Sequence, residues 1–271
     1  MSTWLPSAPC TPEACVQAPA AVRARDVPRA VLRLGAVVVL LLAGIALTPV
    51  GARIPASLVR RWCRWIVRAA GVRVRFTGAA APTGGLLLVA NHISWLDIPL
   101  LAAVRPARML AKTEVRRWPV AGALAARGGT LFIDRDRLRA LPDTVARIAA
   151  ALREGTAVAA FPEGSTWCGR AQGTFRRAVF QAALDAGVPV QPVRLGYRLG
   201  DGRASTAPAY VGEDTLLASL WRVTTSRGLI AEVEVRDALP PGSSPDRRTL
   251  ARSAQSQETS APAWTHTVLV A

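Results

Sequence analysis

The stretch "LLLVANHISWLD" at residues 86–97 joins an unbroken apolar run to a polar tail that holds Asn91, His92 and Asp97. A short run this apolar, without alternation, suits a strand covered on both faces, as in the interior of a parallel sheet. In open α/β sheets, ligand sites gather beyond the carboxyl ends of strands. The polar tail falls at such an end. Asp97 then precedes Ile98 and Pro99, where a helix can begin.

Working outward, β-rich runs alternate with helical stretches from residue 72 onward. The pattern predicts strands at "VRVRFTG", "LLLVAN", "ARMLA", "TLFIDR", "AVAAFPEG", "VPVQPVRL", "ASTAPAY" and "LIAEVEVRD", with helices near 95–104, 114–126, 137–154, 174–186 and 214–226. This is an α/β domain at 71–239, a layered sheet flanked by helices. Residues 1–28 and 240–271 mix small and polar residues without periodicity, and are expected to be a disordered leader and a disordered tail.

Residues 29–70 read as a membrane attachment. Between Arg33 and Arg53 lie nineteen uncharged residues, "LGAVVVLLLAGIALTPVGA", which at about 1.5 Å each nearly match a hydrocarbon core roughly 30 Å thick. A cleavable signal peptide is the rival, but this run is longer than a usual signal core and starts late. The following "SLVRRWCRWIVRAAG" places Leu58, Trp62, Trp65 and Ile66 near one helical face and arginines on the others, an interfacial pattern. Arginines flank the apolar run on both sides, so a re-entrant hairpin is as consistent as a full crossing.

Composition bounds the partners. The chain has 271 residues, 51% of them hydrophobic, and a net charge of +16, which suggests anionic lipid or nucleic acid. Lys112 is the only lysine, and no nucleic-acid motif is visible, so nucleic acid is not an expected partner. Cys10, Cys15, Cys63 and Cys168 are scattered without metal-ligand spacing, so neither a disulfide framework nor a metal site is expected.

Three polar clusters close predicted strands: "NHISWLD", "FIDR" and "FPEGST". An imidazole can take a proton from an alcohol only if its tautomer and direction are fixed, and a carboxylate on the other ring nitrogen does this. His92 and Asp97 could supply that pair locally. The chain has no G-x-S-x-G, and its other histidine, His266, lies in the tail. The attacking alcohol would therefore come from the substrate, in a direct acyl transfer without a covalent enzyme intermediate. Taken singly, each residue also has an ordinary reading: Asp97 as a helix cap, Arg135 as a solvated side chain, Glu163 as a turn residue.

Together the blocks "NHISWLD" (91–97), "GTLFIDR" (129–135), "FPEGST" (161–166) and "VPVQPV" (188–193) resemble the 1-acylglycerol-3-phosphate acyltransferase family, the lysophosphatidic-acid acyltransferases and their relatives. The resemblance implies a membrane-bound enzyme that moves a fatty acyl group from a CoA or acyl-carrier-protein thioester to a lysolipid hydroxyl, with no cofactor beyond the donor and no metal. It implies a catalytic domain at the cytoplasmic face. It also implies His92 as general base, Asp97 as its orienter and Arg135 as a contact to the acceptor's phosphate. Glu163, Gly164, Ser165 and Thr166 would form the acceptor site. The family block usually continues with an arginine where this chain has Thr166, which weakens the case for a phosphate-bearing acceptor, although Arg170, Arg176 and Arg177 lie close enough in sequence to compensate; relatives that acylate lyso-ornithine lipid also lack it. A basic, membrane-tethered lipid-binding module without catalysis is the non-enzyme alternative.

Overall fold

A computed structural model describes residues 8–17, 23–48, 54–81, 83–118, 121–134 and 137–259. The chain runs through α1 (Pro12–Cys15), α2 (Val27–Leu47), α3 (Ala56–Ala69), β1 (Arg73–Thr77), β2 (Leu86–Ala90), α4 (Asp97–Val104), β3 (Arg108–Lys112), α5 (Ala121–Arg127) and β4 (Leu131–Ile133). It continues with α6 (Leu141–Arg153), β5 (Ala157–Ala160), α7 (Ala178–Ala186), β6 (Val190–Arg198), α8 (Leu216–Thr225), β7 (Ile230–Val235) and α9 (Arg247–Thr259). The strands form one sheet in the order β1-β7-β6-β2-β5-β3-β4, with every pairing parallel except β6 with β7.

The apolar run of β2 is explained by its central place, between β5 and β6. Leu86, Leu88 and Ala90 point into a core shared with α3 and α4, while Leu87 and Val89 point into a second core with α6, α7 and α9. Every second residue faces a different helical layer, so no position is left for a polar side chain. Both layers are apolar because both are covered.

Several expectations need correction. No strand forms over "ASTAPAY": Ala204 makes a single bridge to Arg198, and the residues beyond it form turns. Pro208 lacks an N–H for a ladder, and Thr206 accepts from the Gln17 N–H at 2.9 Å while Ser205 bonds Gln17 Oε1 at 3.2 Å. This stretch is a dock for the N-terminal segment. The leader is accordingly ordered in part: α1 is capped by Thr11, and Cys10 is buried. The stretch 114–126 is a 3-10 turn at Thr113–Arg117 followed by α5, and the helix expected from 174 starts at Ala178.

The tail, too, is ordered over its described part, to Thr259. Asp246 accepts from the N–H groups of Arg248 and Thr249 at 2.6 and 3.0 Å, an N-cap that starts α9. Leu250, Ala251 and Ala254, at helical spacing, bury one face against the core of β2 and α7. Two of these three side chains are alanines. Their low hydrophobicity hid the helix.

α2 and α3 form a hairpin. Gly44 lies so near the Trp62 ring that a Cβ there would stand 2.4 Å from it, so the missing side chain permits the approach. Arg33 Nη1 donates to the carbonyls of Thr224 and Ser226 at 2.8 and 3.2 Å, tying α2 to the end of α8. The face of α3 turned to the domain carries Cys63, Ile66 and Val67, whereas Leu58 and Trp65 are exposed. Of the expected interfacial face, Leu58 and Trp65 thus stay outward, while Ile66 belongs to the core. On α2, Val31, Leu32, Val39, Leu42 and Leu47 stand exposed. Among the described residues one helical span, Ala24–Leu47, is long and apolar enough to cross a membrane.

Candidate active site

The site forms where β2 and β5, adjacent and parallel with Val89 opposite Ala160, run out at the same edge. Asn91 extends β2 sideways: its Nδ2 donates to the Leu195 carbonyl at 2.9 Å and its Oδ1 accepts from the Leu195 N–H at 2.8 Å. That side chain locks the exit of β2 to β6. His92 then turns out of the sheet.

Asp97 is fully buried and collects four donors. Its Oδ2 lies 2.8 Å from His92 Nδ1 and accepts from the N–H groups of Ile93 and Ser94 at 2.6 and 2.8 Å. Its Oδ1 accepts from the Tyr197 hydroxyl at 2.5 Å. The carboxylate therefore closes the turn before α4 and orients the imidazole at once, so the capping reading and the chemical reading describe one arrangement. With Nδ1 held as donor to Asp97, Nε2 carries the lone pair. The ring direction is fixed from another side by Phe161, which stacks on His92 with centroids 3.9 Å apart and planes 9° apart. His92 keeps 22% of its side chain exposed, enough to meet a substrate.

Glu163 performs a different task. Its Oε2 accepts from the His92 N–H at 2.7 Å and its Oε1 from the Gly173 N–H at 2.8 Å, so it joins the strand-end turn to the loop before α7. Burial pushes its carboxyl up to about 8, against the two N–H groups that hold it down. The loop is braced in turn by α9: Gln255 Nε2 donates to the Gly173 carbonyl at 2.8 Å, and its Oε1 accepts from the Phe175 N–H at 3.0 Å. Glu258, pushed up to about 7 chiefly by burial, accepts from Gln172 at 3.0 Å.

Of the residues expected from sequence, the structure brings His92, Asp97 and Glu163 together. Gly164 takes φ 74°, a left-handed conformation glycine adopts without strain, and Ser165 and Thr166 follow it, half-buried, in the same turn. Trp167 N–H closes the turn on the His92 carbonyl at 2.7 Å. Arg135 lies outside the described residues. Arg170, Arg176 and Arg177 are exposed.

Sequence reasoning missed Tyr197, which arrives from β6 a hundred residues away with no local signal. Its phenol is raised well above the usual range, first by burial and then by the Asp97 charge, so it stays a donor. Also missed was Gln255, which sits on a helix not expected at all. The cysteines are not scattered: Cys10, Cys15 and Cys168 place their sulfurs within 4.8 Å of one another.

Comparison with known proteins gives a consistent picture. The Acyltransferase family profile matches residues 71–196. The chain is 41% identical over 217 residues to a lyso-ornithine lipid O-acyltransferase of Pseudomonas aeruginosa, covering 79% of this chain and 80% of that protein. It is 35% identical over 175 residues to a 1-acyl-sn-glycerol-3-phosphate acyltransferase of Neisseria gonorrhoeae, covering 64% of this chain and 68% of the other. The crystal structure of the 1-acyl-sn-glycerophosphate acyltransferase PlsC from Thermotoga maritima superposes with a TM-score of 0.62 at 16% identity, over 86% of this chain and 94% of that one. That last likeness is one of fold.

Proposed function

This chain belongs to the acyltransferase family, and from that premise we propose that it moves a fatty acyl group from an acyl thioester to the free hydroxyl of a lysolipid at a membrane surface. The observation that carries the mechanism is the His92–Asp97 pair, with Nδ1 bound to a buried carboxylate and Nε2 left free. The acceptor hydroxyl gives its proton to Nε2 as its oxygen attacks the thioester carbonyl. When the tetrahedral adduct collapses, the C–S bond breaks and the thiolate leaves, taking the proton back from the imidazolium. A thiolate is a good leaving group, so one histidine serves both steps. Asp97 holds the ring and offsets its transient charge. Glu163 acts through the backbone, by fixing the His92 N–H and the loop at Gly173.

The acceptor expected from sequence is 1-acylglycerol-3-phosphate, the substrate named for the gonococcal relative, with Arg135 as the phosphate contact. A second reading, lyso-ornithine lipid, is favoured by two observations: Thr166 in place of the family's arginine, and the longer, higher match to the Pseudomonas relative. The donor is acyl-CoA or acyl carrier protein. Both are cytoplasmic, which sets the catalytic domain at that face of the membrane.

The test is incubation of the full chain in detergent or vesicles with a labelled acyl-CoA or acyl carrier protein thioester and both lysolipids. Transfer to either one, lost in His92→Ala, is expected. A protein that binds the lipids and transfers nothing would return the non-catalytic module as the better account.

A further inference from the structure

Cys10 and Cys15 flank the first turn of the ordered leader, and Cys168 sits in the loop after Thr166. The three side chains meet although more than 150 residues separate the two segments. We propose that Cys10, Cys15 and Cys168 form a tri-thiolate site for a soft divalent metal ion, Zn²⁺ first, which clips the segment ahead of α2 to the loop beside His92.

The geometry suits such an ion. Three Zn–S bonds of about 2.3 Å in tetrahedral directions place the sulfurs about 3.8 Å apart. The present spread, within 4.8 Å, needs only a small contraction, within reach of side-chain torsions. Cys10 and Cys168 are buried and Cys15 is half-buried, so two ligands are withdrawn from water while one borders it. No further histidine, cysteine or carboxylate joins the group among the described residues, which leaves the fourth position to a water or a small thiol.

Cys168 is the ligand whose sulfur is surrounded by donors. Burial works against the Cys168 anion, but the N–H groups of Arg170 and Ala171 and the thiols of Cys10 and Cys15 donate to its sulfur and hold it below the usual thiol range. A metal ion takes the place of the proton on each thiol it binds. Binding thus releases the thiol protons as three S–Zn bonds form. The fourth cysteine, Cys63, lies buried in α3, is not part of the group, and is pushed up to about 12 by burial alone. It serves as a control.

The loop gives the clip its reach. Trp167, next to Cys168, bonds the His92 carbonyl, and a Cβ at Gly169 would come within 3.2 Å of Ile93. A disulfide is the competing use of these thiols, but it engages two sulfurs and leaves the third without a role.

The test uses the full chain, purified in detergent under reducing conditions with Zn²⁺ supplied, and reads metal rather than turnover. Its failure would leave the acyl-transfer reading untouched. Expected are one zinc per chain by elemental analysis and, on exchange with Co²⁺, a sulfur-to-cobalt charge-transfer band. Both are lost in Cys10→Ser, Cys15→Ser and Cys168→Ser and kept in Cys63→Ser. Absence of zinc and of the cobalt band in the wild-type chain would overturn the proposal, as would a band that survives Cys168→Ser. So would a disulfide among the three in protein alkylated in the lysate.

Discussion

In the proposed transfer a single imidazole would deprotonate, then protonate, and its position rests on three neighbours rather than one: Asp97, Phe161 and Tyr197. His92→Ala is expected to lower turnover by about a hundred- to ten-thousand-fold, the usual share of a positioned base, with the melting temperature nearly unchanged. Tyr197→Phe removes one charge-assisted bond of about 1.5–3 kcal/mol to the Asp97 carboxylate. It should lower kcat by roughly ten- to a hundredfold and leave KM alone, which steady-state kinetics with either acceptor would show; a changed KM with unchanged kcat would place the phenol in substrate binding instead. Glu163 makes a pH prediction. Its carboxyl, raised to about 8 by burial, binds a proton in the folded chain through a range where the unfolded carboxyl, near its ordinary 4.5, has lost it. Its contribution to stability is therefore fully present below about pH 4.5 and is lost as pH climbs through 8, at up to about 1.4 kcal/mol per unit. Glu258, raised to about 7, adds a loss of the same sign that ends nearer neutrality. Denaturation followed between pH 5 and 8 should show stability falling with pH, and Glu163→Gln should flatten the slope. A slope unaltered in that variant would remove Glu163 from the account.

At the level of elements, what the sequence showed and what it hid divide along a physical line. β2 and β5 were legible because double burial writes itself as an unbroken apolar run, and His92 and Asp97 because they follow such a run within one turn. The contacts of β6 were not, since Tyr197 reaches Asp97 only after the whole sheet has closed. α9 was hidden for another reason: its apolar core face is only Leu250, Ala251 and Ala254, and most of the rest of it is polar. The cue was there in Asp246, an N-cap followed by apolar positions four residues apart. Its role beside the site can be measured. Leu250→Ala should destabilise the domain by about 2–5 kcal/mol in denaturant titrations, as for other buried leucines. Gln255→Ala, which cuts both bonds to the 173–175 loop, should reduce turnover with a smaller loss of stability. Equal activity in the Gln255 variant would mean that the loop holds its shape without α9.

The whole molecule is a catalytic sheet fastened to an apolar hairpin, and the fastening decides how it meets lipid. α2 is bound to α8 through Arg33 and to α3 through the Gly44–Trp62 contact, while Val31, Leu32, Val39 and Leu47 face outward, so association with a membrane is hydrophobic in origin. A high-salt wash should leave the full chain in the membrane fraction; extraction by salt would make the arginines the attachment instead. In the proposed reaction a lysolipid would enter from the bilayer side, and the choice is between acceptors with and without phosphate. Thr166 removes one guanidinium the family uses, and the arginines that follow it, Arg170, Arg176 and Arg177, stand exposed. The sequence offers Arg135, in "GTLFIDR", as a candidate source of a bidentate contact, which lysine cannot reproduce. Loss of one such contact is worth about 1.5–3 kcal/mol, or roughly ten- to a hundred-and-fifty-fold. Arg135→Ala should therefore depress kcat/KM for 1-acylglycerol-3-phosphate by that factor and barely alter it for lyso-ornithine lipid, measured side by side in the same vesicles. Equal losses on both acceptors would take the phosphate role away from Arg135. A wild-type preference for lyso-ornithine lipid would make Thr166 the residue that marks the acceptor, because a site without the second arginine has no reason to select a dianion.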